Sequence, residues 1–191
     1  MSLVAFRARN HPQQPTRDDV DDRRTPRAFF DPLHERYRFT VDAAASVENA
    51  LLPYFWTRDS NALVQQWRGH RVWCNPPYSN LAAWVQKAWV EMQMGGCHHV
   101  SMLLPANRCE QRWWQDAIEP LRDRELTRAE NAGRIIRVTT KFLPGRMRFG
   151  HPESWERPEK GDRPPFGCVL VTWTVVVMTR AEAGRETEGG R

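Results

Sequence analysis

The spacing of apolar residues along the chain changes repeatedly between the two-residue period of strands and the three-to-four-residue period of helices. This pattern predicts, in chain order, a helix from residue 25, a strand at 39–43, a short helix at 61–67, a strand at 71–74, a helix at 80–94, a strand at 98–104 and a helix at 110–118. For the first helix, Thr25 is the predicted cap and Pro26 the first helical residue. Strands that alternate with helices favour parallel pairing through crossover helices.

The last third of the chain has a different pattern, in which strands follow one another without a helix between them. The predicted elements are strands at 135–143, 146–149 and 166–177, a turn at 144–145 and a polar, proline-rich loop at 151–165. The whole pattern therefore predicts an α/β fold whose mostly parallel sheet finishes with an antiparallel C-terminal strand.

Length and composition indicate one globular domain. The chain has 191 residues, 40% of them hydrophobic, and nine tryptophans, which is enough for one sizeable core. Polar or glycine-rich ends without hydrophobic periodicity predict flexible tails at 1–24 and 179–191, around a domain at 25–178. No apolar run has the length of a membrane span and the N-terminus lacks a signal-like core, so we expect a cytoplasmic protein with no membrane partner.

Four cysteines show neither a C-x-x-C pair nor a zinc-like spacing with histidine, so no disulfide framework and no metal site is predicted. The adjacent residues Cys97, His98 and His99 do not change this expectation, because neighbouring side chains on a strand cannot all point at one ion.

The net charge of +5 is compatible with a polyanionic partner. Between residues 134 and 150 the chain carries basic residues and no acidic one; they are Arg134, Arg137, Lys141, Arg146 and Arg148. Such a patch could neutralise DNA phosphates. The alternative is that these residues form an ordinary solvated strand face.

A two-proline loop directly after a predicted strand is the most informative feature of the chain. Asn75, Pro76, Pro77 and Tyr78 follow the apolar run 72–74. The Asn75 side-chain oxygen and the Pro76 carbonyl could accept both hydrogens of an exocyclic amine, Pro77 would stiffen the turn, and Tyr78 could stack on an extruded base. This predicts methylation of a nucleic-acid base. The alternative is a structural proline turn with a packed tyrosine.

Several short sequences, in the same order along the chain, resemble the phage-type DNA N-6-adenine methyltransferase (Dam-type) family. They are T-P at 25–26, F-T-V-D-A-A-A-S-V-E-N-A at 39–50, V-W-C-N-P-P-Y-S at 72–79, W-V-Q-K-A at 84–88, L-L-P-A at 103–106 and G-R-M-R-F-G at 145–150. The resemblance implies a Rossmann-like methyltransferase fold, S-adenosylmethionine as methyl donor without a metal, adenine in double-stranded DNA as acceptor, and a phage or prophage origin. It indicates no obligate protein partner.

The resemblance also implies roles for individual residues. Asn75 to Tyr78 match the catalytic loop. The residues matched to cofactor binding are Thr25, Asp42, Ala43, Ala44 and Asp59, with Asp42 near the methionine or ribose part and Asp59 near the adenine amine. One departure is that the turn after Asp42 reads A-A-A-S and lacks the glycines with which methyltransferases usually approach the cofactor.

Two other functions fit the same residues. One is an enzyme that methylates guanine in RNA or a protein glutamine, because the same tetrapeptide suits any planar amine or amide. The other is a DNA-binding protein whose methyltransferase fold has lost its activity.

Overall fold

The computed structural model describes residues 21, 23–94, 96–123, 127–128, 135–150 and 164–176. Three α-helices lie in these ranges: α1 at Arg27–Tyr37, α2 at Leu81–Gln93 and α3 at Arg112–Ala117. Six strands accompany them: β1 at Val41–Asp42, β2 at Arg71–Cys74, β3 at His99–Pro105, β4 at Thr127–Arg128, β5 at Ile135–Phe142 and β6 at Cys168–Val176. Short 3-10 turns follow β2 at Tyr78–Asn80 and β3 at Ala106–Arg108.

The strands form one mixed sheet in the order β1-β2-β3-β6-β5-β4. The first three strands are parallel, whereas β6, β5 and β4 join by antiparallel pairing. Because Pro105 at the end of β3 pairs with Cys168 at the start of β6, and Phe142 at the end of β5 pairs with Val169, all these positions lie at one edge. We call this edge, where β1, β2, β3 and β5 end, the carboxyl edge.

Helices cover the sheet on both faces. On one face α2 packs with Trp114 of α3 against Val72 and Cys74 of β2. On the other face α1 packs over Trp73, whose ring centroid lies 5.4 Å from that of Phe30 in an edge-on contact. Successive residues of β2 thus enter different cores, as the two-residue period of a strand requires, and the end of β2 is held from both sides.

β1 is short, yet both of its sides are hydrogen-bonded. Val41 and Asp42 pair with β2, and on the outer side the Asp42 amide donates to the Tyr54 carbonyl at 3.1 Å. The Trp56 amide donates to the Asp42 carbonyl at 2.9 Å, which forms a single parallel bridge through Phe55. Asp42 is therefore fixed at the carboxyl edge although its strand has only two residues.

The structure confirms much of the predicted order of elements. The strand predicted at 71–74 has those bounds, and the helix at 80–94 and the strand at 98–104 are each present within about one residue. The α/β class and the antiparallel C-terminal strand are also confirmed, although the sheet is more evenly mixed than predicted.

Three local predictions are wrong. Residues 61–67 form turns. The Trp67 indole donates to the Ala62 carbonyl and the Gln65 side-chain amide donates to the Ser60 carbonyl, and these bonds compete with the backbone bonds of a helix. Residues 146–148 form no strand, whereas Phe149 and Gly150 occupy bridge positions and Gly150 pairs with Arg24. Helix α1 begins at Arg27 after Pro26, and Thr25 does not cap it.

Arg24, the last residue of the predicted N-terminal tail, is bridged to Gly150. Residues 1–20 and 179–191 of the predicted tails, Arg134, and residues 151–163 of the predicted loop lie outside the described residues. Within the described ranges, no helix is long and apolar enough to cross a membrane, and no three His, Cys, Asp or Glu side chains are grouped so as to hold a metal ion.

Candidate active site

A cleft opens at the carboxyl edge beside the ends of β1 and β2. Four residues predicted from the sequence as site residues line it, namely Thr25, Asp42, Ala44 and Asn75. The cleft is also lined by Arg23, Arg24, Asn49, Leu51 and Trp73. The structure therefore brings together residues that lie as much as 52 positions apart in the sequence. We call this feature the carboxyl-edge cleft.

Asn75 contributes a buried acceptor to the cleft. Its Nδ2 donates to the backbone carbonyl of Arg23 at 2.9 Å, while its Oδ1 is buried and has no hydrogen-bond partner among the described residues. A carbonyl can only accept, so the amide nitrogen must face Arg23 and the oxygen must face elsewhere. Leaving a buried oxygen unpaired costs about 1–3 kcal/mol, and one explanation for such an atom is a ligand that supplies the missing donor.

Thr25 places a second unpaired polar atom in the same cleft. Its side chain is buried, and its Oγ1 has no hydrogen-bond partner within the described part of the chain. A hydroxyl can both donate and accept, so Thr25 suits a polar ligand group of either kind. Two orphaned side-chain oxygens therefore lie on the walls of one cleft.

Asp42 adds a buried carboxylate. Its Oδ2 accepts from the Leu51 amide at 3.1 Å and its Oδ1 accepts from the Ala44 amide at 3.4 Å. Burial raises the pKa of Asp42 to about 6, and the two backbone donors together with the charge of Arg27 offset part of that rise. At neutral pH the cleft thus contains a negative charge that is poorly solvated, and a cationic ligand group would stabilise it.

The tyrosine that ends the two-proline loop is buried and does not line the cleft, so its ring is not presented for the predicted stacking on a base. The Tyr78 side chain is only 8% exposed, and its ring lies against that of Phe166 with a centroid separation of 5.9 Å. Arg108 Nη1 donates to the Tyr78 carbonyl at 3.0 Å. Burial, followed by the neighbouring Cys168, raises the pKa of Tyr78 well above its ordinary value, so its hydroxyl is neutral at physiological pH.

The other predicted cofactor residues lie in different surroundings. Ala43 is buried, and its amide extends the β1–β2 ladder by donating to the Trp73 carbonyl at 2.9 Å. Asp59 lies in an exposed turn and does not line the carboxyl-edge cleft.

The predicted basic patch is divided between two edges of the sheet. Lys141 precedes the last residue of β5, and Arg146 and Arg148 follow that strand, so these three belong to the carboxyl edge. Arg137 pairs with Thr174, which also pairs with His99 at the first position of β3, so Arg137 lies towards the opposite edge. The separation of four residues between Arg137 and Lys141 along β5 corresponds to roughly 13 Å.

Two arginines in the cleft wall are not indicated by the sequence pattern. Arg23 and Arg24 were assigned to the N-terminal tail, because the segment around them has no hydrophobic periodicity. The signal that could have identified them is their position directly before the T-P element at 25–26.

Comparison with known proteins finds two similar phage proteins. The chain is 37% identical over 95 residues to the DNA N-6-adenine-methyltransferase of Escherichia phage T1, which covers 49% of this chain and 39% of the relative. It is 25% identical over 127 residues to the DNA N-6-adenine-methyltransferase of Haemophilus phage HP1 (strain HP1c1), which covers 66% of this chain and 64% of the relative.

The match therefore spans less than two thirds of the length of either relative. A broader match comes from the family profile described as DNA N-6-adenine-methyltransferase (Dam), which aligns with residues 13–162. Because those residues make up more than half of the sequence and include the whole carboxyl-edge cleft, this chain belongs to the DNA N-6-adenine-methyltransferase (Dam) family.

Proposed function

We propose that this chain transfers a methyl group from S-adenosylmethionine to the exocyclic amine of adenine in DNA. The observation that carries the proposal is the buried, unpaired Oδ1 of Asn75 in a cleft that also holds the Asp42 carboxylate. Membership of the Dam family and the names of the two phage relatives support the choice of adenine and DNA.

The amine of adenine is a poor nucleophile because its lone pair is shared with the ring. In our proposal Asn75 Oδ1 and the Pro76 carbonyl each accept one amine hydrogen, which draws the nitrogen towards tetrahedral geometry and localises its lone pair. Pro77 restricts the turn, and Tyr78 anchors the loop by packing its buried ring against Phe166. The nitrogen that has gained a methyl group then loses its extra proton to solvent.

The polar groups of the carboxyl-edge cleft have the chemistry that would bind the amino-acid part of S-adenosylmethionine. Asp42 and Thr25 would accept from the ammonium group, Arg23 or Arg24 would meet the carboxylate, and the small side chains of Ala43 and Ala44 would allow close approach. When bound, the cofactor supplies an electrophilic methyl group on a sulfonium, whose bonding pair stays with the sulfur. Asp59 lies outside the cleft walls, so its contact with the cofactor's adenine rests on the resemblance alone.

The proposed DNA surface is the carboxyl edge beside the cleft. Lys141, Arg146 and Arg148 would contact the phosphates of double-stranded DNA there and set the position of the duplex. Arg137 lies towards the opposite edge, and for Arg134 the proposal rests on sequence alone. A sheet with helices on both faces and a ligand cleft at the carboxyl ends of its strands supports a Rossmann-like methyltransferase fold for the domain at 25–178.

A methyl-transfer assay with competing acceptors tests this proposal. The protein is incubated with methyl-labelled S-adenosylmethionine and, separately, double-stranded DNA, RNA or a protein acceptor, and the products are digested and identified. We expect N6-methyladenine from DNA only. Label in guanine of RNA or in glutamine would assign the site to another amine or amide, and absence of both label and cofactor binding by calorimetry would indicate an inactive fold.

Asn75→Ala is the matching variant. It removes the acceptor and should lower turnover on DNA by at least about a hundredfold, which is the effect of losing one preorganised electrostatic group in an active site. Cofactor binding and the thermal midpoint serve as controls for folding. Turnover equal to that of the wild type would contradict the assigned role.

A further inference from the structure

The segment before α1 lies against the catalytic loop and is tied to two distant parts of the chain. The Arg23 carbonyl accepts from Asn75 Nδ2 at 2.9 Å. The Arg24 amide donates to the Gly150 carbonyl at 3.1 Å, and the Gly150 amide donates back to the Arg24 carbonyl at 2.8 Å. We call residues 23–25 the strap.

We propose that the strap is a positioning element, which fixes the orientation of the catalytic amide through the Arg23 carbonyl. The proposal rests on the function proposed above, because it concerns how Asn75 presents its acceptor. It assigns a role to residues 23 and 24, and to Gly150 as their anchor, in addition to lining the cleft.

The need for such an element follows from the chemistry of asparagine. The two terminal atoms of its side chain differ in character, since the oxygen accepts and the nitrogen donates, and rotation by half a turn exchanges them. With the nitrogen facing the cleft, Asn75 would present hydrogens to an amine that also presents hydrogens. The Arg23 carbonyl excludes that orientation, because it would then face the Asn75 oxygen with no hydrogen between them.

Gly150 allows the strap to lie where it does. A methyl group added at Gly150 would stand 3.1 Å from Arg24 Cβ, which is closer than ordinary contact and involves no flexible side-chain end. Gly150 does not line the cleft, so its replacement displaces the strap without substituting any of the residues that do. Gly167 provides a matched control at the same edge, because an added methyl there would meet only ordinary contacts, at 3.6 and 4.0 Å.

The kinetic test uses Gly150→Val and Gly167→Ala with saturating DNA and cofactor, so that weaker binding of either does not limit the rate. Gly150→Val should lower kcat about tenfold or more, as expected when a reacting group is held in poorer geometry. Gly150→Ala should give a smaller loss, and Gly167→Ala should retain the wild-type kcat. Equal kcat values for Gly150→Val and the wild type would overturn the proposal.

A double-mutant cycle separates positioning from general damage. In Asn75→Asp both terminal atoms are oxygens, so an acceptor faces the cleft in either orientation, and the hydrogen bond to the Arg23 carbonyl, through which the strap acts on Asn75, is absent. We therefore expect Gly150→Val to slow the Asn75→Asp enzyme less than about twofold, although it slows the enzyme with Asn75 about tenfold. The same factor in both backgrounds would contradict a role through Asn75.

An NMR measurement tests the strap independently of catalysis. The two Nδ2 hydrogens of Asn75 should exchange with solvent slowly in the wild type and in Gly167→Ala, and at least about tenfold faster in Gly150→Val at an equal thermal midpoint. Equal exchange in all three proteins would overturn the inference. Should the wild type methylate no DNA while exchange still differs in this way, the proposed function would fail and the strap contact would stand.

Discussion

The raised pKa of Asp42 in the cleft predicts how the stability of the protein changes with pH. The pKa of Asp42 is raised from an ordinary value of 3.8 to about 6 in the folded protein. Folding therefore strengthens proton binding at this group, and stability falls as the pH rises from about 4 to about 6. A shift of about two units corresponds to roughly 3 kcal/mol of stability that is lost above pH 6.

Asp42→Asn removes this dependence, because an amide does not titrate. The variant loses one of the two backbone bonds that the carboxylate accepts, from Leu51 and Ala44, at a cost of about 1 kcal/mol. We therefore expect Asp42→Asn to be more stable than the wild type by about 2 kcal/mol at pH 8, and slightly less stable at pH 4. The difference between the two proteins should change by about 2 to 3 kcal/mol across this range.

Urea unfolding of both proteins at intervals of one pH unit from 4 to 8 measures the difference. Other titrating groups, such as the buried neutral His99, are present in both proteins and cancel in the comparison. A difference that stays constant across the range would refute the reasoning, because Asp42 would then carry no raised pKa. The same variant should bind S-adenosylmethionine more weakly. That result would show that the Asp42 charge, which lowers the stability of the folded protein, contributes to ligand binding.

Two further predictions concern charged residues away from the cleft. Glu91→Ala should destabilise the protein by about 3 kcal/mol in urea unfolding, because buried Glu91 accepts from the Trp67 amide at 3.0 Å and pairs with Lys87 at 2.6 Å. The exposed pair of Arg112 and Asp116 is the control, and Asp116→Ala should cost less than about 0.5 kcal/mol; equal losses would contradict the role of burial. Lys141→Ala should weaken DNA binding and reduce the slope of the logarithm of the binding constant against the logarithm of salt concentration by about 1, the contribution of one phosphate contact. Arg137→Ala should change neither quantity. Equal effects in a fluorescence titration at several salt concentrations would contradict the placement of DNA at the carboxyl edge.

Local chemistry made the centre of the site predictable from the sequence. A short apolar strand, two prolines and a helical repeat follow one another directly, so neighbouring residues determine where β2 ends and where Asn75 lies. Asp42 was predictable for the same reason, because it ends an apolar run. The match between prediction and structure is best where each element is set by its own periodicity.

Long-range pairing made the remainder unpredictable. The contact between Arg23 and Asn75 spans 52 positions, and the bridge between Arg24 and Gly150 spans more than twice that distance. The division of the basic patch depends on the register of β5 with β6, which a run of five basic residues does not reveal. At 61–67 the helical pattern was overridden by side chains that bond to backbone carbonyls.

The single bridge on the outer side of β1 also bears on self-association. An exposed strand edge presents unpaired amides and carbonyls in a row, and another chain can add to it and begin an aggregate. Among the described residues the outer neighbour of Asp42 is Phe55 alone, so the backbone offered for pairing on this side of the sheet is one residue long. That length is too short to pair with a strand of another chain, so this side of the sheet is protected against edge-to-edge polymerisation.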